Sequence, residues 1–302
     1  MKKQILLGGF FMFLISCGKI ESNLSESQNR NQELLSQNEL DTGHDKNAQK
    51  LLFKNTDEIQ KSEELNVKLL SKVADNLKIK YSDIKINESS SINYNEKITF
   101  FVVTITEHGN VKNEEGALGD YFQRKYLFVD KEDGTIIAEE FDDNLGYYDN
   151  EGIRVSKTNI LKKLVSLNEN LKGIAFYTEV SANSRIVLYA EQKFTILTLT
   201  DNEIKKILYE YPIRLTNGDS NGSGTYQLET LETGISLSQQ KTNGFFDLLV
   251  TKQFSYEEAV EADLENGIEE KSDLKTKKEF EKLRFNGREY VYARDDRHRF
   301  LE

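Results

Sequence analysis

"KITFFVVTIT", residues 97–106, is an unbroken run of β-branched and aromatic residues of strand length. "YFQRKYLFV" (121–129) and "TIIAEEF" (135–141) follow it on either side of "DKEDG", where Gly134 supplies the positive φ that a tight turn needs. Downstream come "GIAFYTEV", "RIVLYAEQKFTILTL", "ILYEYPIRL", "TYQLETLE", "GISLSQ" and "FFDLLVTKQF", separated by polar or glycine-containing breaks. Short strands punctuated in this way predict a largely antiparallel β body. "ILKKLVSL" (160–167) reads as a short helical interruption.

Upstream of the strands the period changes. Asn55 with Glu58 three residues on matches a capping pair, and Ile59, Leu69, Leu70, Val73 and Leu77 recur at near-helical spacing among charges. An amphipathic helix is predicted over about 56–78, packed on the body. With it the fold class is α+β: a signal, a disordered tether, one helix, then a mainly antiparallel β body. The globular part covers 49–302, with a sub-boundary near 170.

Towards the end the texture turns acidic. Eight acids stand against Lys271 alone between Glu257 and Asp273, and the chain becomes basic from Lys275 to Arg284. The reading is a solvated loop followed by one or two helical turns. "LRFNGREYVYA" (283–293) signals a hairpin around Asn286-Gly287.

The first residues carry an address. Lys2 and Lys3 precede an apolar stretch, Ile5 to Ile15, that is too short to cross a hydrocarbon core, which needs about 20 residues. This is the pattern of a secretory signal. It ends in Leu14-Ile15-Ser16-Cys17, which resembles the lipobox of bacterial lipoproteins. That resemblance implies cleavage before Cys17, a thioether to diacylglycerol on its sulfur, and acylation (palmitate included) of the new amine. Residues 1–16 are then the signal peptide. Gly18 stands where an aspartate would retain an enteric lipoprotein at the inner membrane, so the expectation is the outer membrane of the cell envelope. Residues 17–48, rich in Asn, Gln, Ser and Glu, cannot bury enough surface to fold. They form a tether with a reach of about 30 Å.

Composition narrows the partners. Lys plus Arg is 40, Asp plus Glu is 51, and the formal charge is −11; without Lys2 and Lys3 it is 38 − 51 = −13. An acidic exterior disfavours nucleic acid, whose binding needs clustered Lys and Arg. It suits a basic protein. The only cysteine is used by the anchor, so no disulfide and no thiol nucleophile are expected.

"DSNGSG" (219–224) is the one motif with metal chemistry. Oxygen side chains at positions one, three and five followed by glycine at six open a calcium loop. The candidate ligands are Asp219, Asn221, Ser223 and Glu229. The twelfth position holds Thr230 with Glu229 one residue off, and the ninth is Gln227. The same residues also make a polar turn between strands. "TNGFFDLLV" (242–250) resembles the N-G-x-x-D-L-x-V edge of FG-GAP or VCBS-type blades. That resemblance implies an Asn-Gly turn leading into a strand of such a β unit. Clear recurrence of blades is missing.

Enzymatic signatures are weak. The histidines are His44 on the tether, His108 at a strand end and His298 near the last residue, and no H-E-x-x-H, G-x-S-x-G or phosphate loop occurs. Tyr290 and Tyr292, with Glu257, Glu258, Glu261, Asp263, Glu265, Glu269 and Glu270, are the candidate contact surface. The functional expectation is a non-catalytic envelope binding protein of the inhibitor or immunity kind, requiring no cofactor. The alternative is a hydrolase using paired carboxylates on an envelope polymer.

Overall fold

A computed structural model describes residues 50–53, 65–107, 121–142, 153–155, 158–262, 267–295 and 298–300. Cys17, the tether, His44, His108, Asp263, Glu265 and the Asn55–Glu58 pair lie outside the described residues. Gln49–Glu302 forms one compact unit.

The unit opens with a short strand, β1 (Lys50–Phe53), and the single described α-helix, α1 (Val67–Leu77). Asn66 caps the helix: its side-chain oxygen accepts from the Leu69 N–H at 3.1 Å. Lys78, in the left-handed region at φ 57°, closes the other end. Leu69, Leu70, Val73 and Ala74 make its buried face, as their spacing predicts.

β2 (Ser90–Asn93), β3 (Ile98–Glu107), β4 (Tyr121–Asp130) and β5 (Ile136–Asp142) pair antiparallel in sequence order as a four-stranded sheet. The quoted run is β3, and its uniform apolarity has a cause: both faces are covered. Phe101, Val103 and Ile105 face α1 together with Leu127 and Val129. Phe100 and Val102 face the other way, with Tyr126 and Phe128, onto a second sheet. Gly134, at φ 77°, turns β4 into β5 against the helix, where a Cβ would lie 2.8 Å from that of Lys72.

The second sheet holds β6 (Ile153–Val155), β7 (Asn159–Ile160), β8 (Val165–Ser166), β9 (Lys172–Ala182), β10 (Val187–Thr200), β11 (Glu203–Ser220), β12 (Tyr226–Thr242), β13 (Phe245–Val260) and β14 (Lys271–Leu283). Its order is β14-β13-β12-β11-β10-β9-β6, with β1 paired to β12 and both β7 and β8 paired to β9. Ile160, Ile174, Phe176 and Leu197 complete the core shared with the first sheet. The layers are therefore helix, small sheet, long sheet. The architecture is mainly antiparallel β, with one α-helix among the described residues in support.

Two expected elements differ. "ILKKLVSL" is no helix but the edge pieces β7 and β8. Its apolar residues serve two cores: Ile160 joins the layer between the sheets, while Val165 and Leu167 enter the cluster on the far side of β9 and β10. A single helical face cannot supply both. Of the loop expected over 257–273, residues 257–260 end β13 and 271–273 open β14, while the described residues 261–262 and 267–270 lie outside the strands. The helical turns expected over 275–284 are instead most of β14, paired with β13 from Leu248↔Leu283 to Val260↔Lys271. The ladder overrides the weak strand propensity of Lys and Glu.

Two-residue turns set the hairpin registers. Asp201 and Asn202 (φ 54° and 59°) join β10 to β11; Asn243 and Gly244 (φ 49° and 81°) join β12 to β13. Positive φ at both positions is the hairpin turn whose twist matches the strands. Burial in β12 alternates from Leu228 to Leu237, so Glu229, Leu231, Thr233, Ile235 and Leu237 share the inner face.

Gly218 lies where β11 meets β12, and a Cβ there would fall 2.1 Å from the Gln227 carbonyl oxygen. Gly218→Ala should cost about 1–3 kcal/mol as the strands part. The readout is a lower urea midpoint with unchanged slope.

One buried ion pair sits beneath the small sheet's edge. Arg124 Nη1 lies 3.9 Å from Asp142 Oδ2, each side chain 3% exposed. The Tyr126 hydroxyl donates to the same carboxylate at 3.1 Å. Burial, aided by Asp142, pushes the Tyr126 phenol well above its ordinary value.

Candidate functional site

After β14 the chain turns back over the inner face of the long sheet. Asn286 Oδ1 accepts from the Arg288 and Glu289 N–H groups, Gly287 takes φ 103°, and Phe285 bridges Tyr290. The predicted Asn-Gly reversal is thus present. Tyr290 is 2% exposed, donates its hydroxyl to the Phe246 carbonyl, and anchors its own N–H on Ile207. It is a core residue rather than a contact residue. Tyr292 is half-buried, and its hydroxyl is held by the carbonyls of Tyr209 and Glu210 at 3.0 and 2.9 Å. Those carbonyls converge because Glu210, at φ 52°, forms a bulge opposite Thr195. The Tyr292 ring stands edge-on to Tyr211, centroids 4.8 Å apart. Both tyrosines are committed inward because a hydroxyl buried here needs an acceptor, and the sheet backbone supplies it.

Beyond Tyr292 the segment carries Arg294, Arg297, His298 and Arg299 among Asp295, Asp296 and Glu302, with Phe300 following the last arginine. Arg294 reaches Glu191 at 3.3 Å. Arg299 makes a two-pronged contact with Glu279, Nε to Oε1 at 2.9 Å and Nη2 to Oε2 at 3.2 Å, and also meets Asp295 at 2.7 Å. Its guanidinium lies over the Phe254 ring at 4.5 Å. Glu229, 6% exposed, accepts from the Arg299 N–H at 2.6 Å and the Phe300 N–H at 3.1 Å, with His298 Nδ1 at 3.6 Å. The Phe300 ring rests 6.2 Å from Tyr256. Under this segment lies a small hollow lined by Leu215, Asn217, Glu229, Leu231, Phe254, Asp295 and His298. It is a strip with an apolar floor and carboxylate walls, suited to holding a cationic side chain against a ring.

The calcium-loop residues have separate employments. Asp219 faces Gln227 across the β11–β12 rung. Asn221 Oδ1 accepts from the Ser223 and Thr225 N–H groups, 2.9 and 3.1 Å, so it closes the hairpin turn that also contains Ser223. Glu229 holds the terminal segment. Among the described residues no group of three or more His, Cys, Asp or Glu is placed to hold a metal.

The acidic candidates gather at the end of the long sheet that holds the β11–β12 turn. One rung runs Asp219, Gln227, Glu258, Asp273 across four strands. Glu257 accepts from the Tyr226 hydroxyl at 2.6 Å; with burial this pushes the Tyr226 phenol up to about 12. Glu261, Glu269 and Glu270 are exposed. Arg299, Glu279, Asp295 and Phe254 were not singled out by the sequence. The legible signal was the basic-aromatic end "RHRF" (297–300) in an acidic chain.

Hydrogen bonds from Arg299, and then from Lys277, hold the Glu279 carboxyl down at about 2, below its ordinary 4.5. A carboxyl depressed on folding stabilises above its unfolded value and loses that contribution as pH falls through the folded one. The stability difference between the wild type and Glu279→Gln should therefore persist at neutral pH. It should close between pH 4.5 and about 2. Urea unfolding across that window checks it.

No protein-family model matches this chain, and neither a curated protein nor a solved structure matched it.

Proposed function

We propose that the chain is a lipid-anchored envelope protein, held at the outer membrane by Cys17, that binds a basic protein without catalysis, in the manner of an inhibitor or immunity protein. The observation that carries the binding reading is the acidic end of the long sheet, where Asp219, Glu258 and Asp273 share one rung and Glu261, Glu269 and Glu270 stand exposed beyond it. Such a cluster speeds encounter with an opposite charge, an effect that fades over the roughly 8 Å Debye length of physiological salt. The hydrolase alternative has Glu229 and Asp295 lining one hollow, but Glu229 is hydrogen-bonded to the Arg299 and Phe300 N–H groups and Asp295 to the Arg299 guanidinium.

Two measurements test the reading. Cys17→Ala should abolish palmitate labelling and release the product from membranes; an unlabelled wild type would remove the anchor. Replacing Glu257, Glu258, Glu261, Glu269 and Glu270 with Gln should slow capture of the proteins that wild-type chain retains from envelope extract, most at low salt. Equal capture across salt would remove the acidic surface.

A further inference from the structure

The contacts of residues 298–300 are those of a bound peptide. Tyr290 fixes its backbone on Ile207, and Tyr292 plants its hydroxyl on the bulge. Further on, the bonds to the sheet run through side chains rather than a strand ladder. Glu229 captures two successive backbone N–H groups, which only a bent residue pair can turn to one carboxylate, and 299–300 is such a bend. Glu279 and Phe254 are selective: a planar fork on one side and a ring beneath it fit a guanidinium and no other side chain as well. Tyr256 then receives an aromatic ring.

We infer that this strip is a recognition site for a segment of a basic partner protein in which an arginine is followed by an aromatic residue at a backbone bend, and that Arg299 and Phe300 fill it in cis until displaced. The charge fits, because the carboxylates of Glu229 and Glu279 face a cationic occupant. The inference rests on the binding reading above only for the existence of a partner; the seat itself stands on its own contacts. An internal occupant lowers the apparent affinity for an external one by the fraction of time the seat is empty. It also keeps the apolar floor, Leu215, Leu231 and Phe254, covered until a better segment arrives.

The test uses the full-length chain and a fluorescent peptide of residues 293–302, followed by anisotropy. Arg299→Ala with Phe300→Ala in the chain should tighten peptide binding about tenfold or more over wild type, the equivalent of one decade in Kd. Alanine in the peptide at either of those positions should abolish binding, as should Glu279→Gln in the chain. A variant with wild-type circular dichroism that binds no peptide overturns the inference, and the segment is then a cover only. Should the doubly substituted chain fail to fold, wild type gives the second measurement. Saturating peptide must speed hydrogen exchange at the Arg299 and Phe300 N–H groups, and unchanged exchange overturns the inference. Dimers that the peptide dissolves would assign the seat to a second copy and overturn the partner. Peptide binding needs neither the anchor nor the five glutamates replaced above, so the two readings fail separately.

Discussion

Phe100→Ala should lower stability by about 3–5 kcal/mol, the range for emptying a buried phenylalanine site. Phe100 is fully buried in the layer between the two sheets. Its ring lies 5.0 Å from Phe128 on the neighbouring strand and 6.1 Å from Phe176 of the long sheet, stacked on the latter. Tyr126 meets the same Phe176 at 5.2 Å. These rings are the join between the sheets, and the cavity has rigid walls on both sides. At this chain length each kcal/mol moves the midpoint by a few degrees, so the melt should fall by about 10 °C. Phe280→Ala, at a side chain 69% exposed, should move it by less than about 0.5 kcal/mol. A single transition that shifts as a whole is expected for a continuous core. Two transitions, only one of them moved, would restore a boundary near residue 170.

Asp142→Ala should cost a similar amount, about 3–5 kcal/mol, for a different reason. It leaves the Arg124 guanidinium buried opposite an alanine and takes the acceptor from the Tyr126 hydroxyl. The pair at 3.9 Å is loose, and Arg124 Nε has no partner within the described residues. Desolvation is then poorly offset. Replacing both members by apolar residues, Arg124→Met with Asp142→Leu, should restore most of the loss. A double-mutant cycle by urea unfolding reads both numbers. If the single and double substitutions cost the same, the pair contributes packing and not charge.

Strands with apolar character were plain in the sequence because burial writes itself as β-branched and aromatic runs or as alternation. β3, β4, β5 and the hairpins around Asn243-Gly244 and Asn286-Gly287 are of this kind. The Leu69–Leu70–Val73 face of the helix was legible through its period; its cap at Asn66 was passed over for Asn55. β14 was hidden because its residues are chosen for solvent: Lys275, Lys277 and Lys278 say nothing of a ladder whose partner is already formed. The edge pieces β7 and β8 were hidden by a spacing of leucines and valines that a helix would also use. The seat was illegible for a third reason. Glu229, Phe254, Glu279 and Arg299 come from β12, β13, β14 and the terminal segment, and only the register of the long hairpins makes them neighbours. Tyr290 and Tyr292 were rightly grouped on one segment, yet their hydroxyls turn inward because the Glu210 bulge and Phe246 present carbonyls to them.

β1 has a mechanical meaning. It is four residues long and borders β12 in the middle of the long sheet, through Lys50↔Leu237, Leu51↔Ser236 and Phe53↔Ile235. Any pull transmitted along the chain from the residues before it arrives at this pairing before it reaches the helix or either core. A patch of so few rungs, with a register irregularity between Leu51 and Phe53, yields at a lower force than the seventeen-residue strand it borders. β1 would then peel away as a fuse, lengthening the chain by up to about 3.3 Å for each residue released. The layers behind it stay folded under a load that would otherwise be borne by the core.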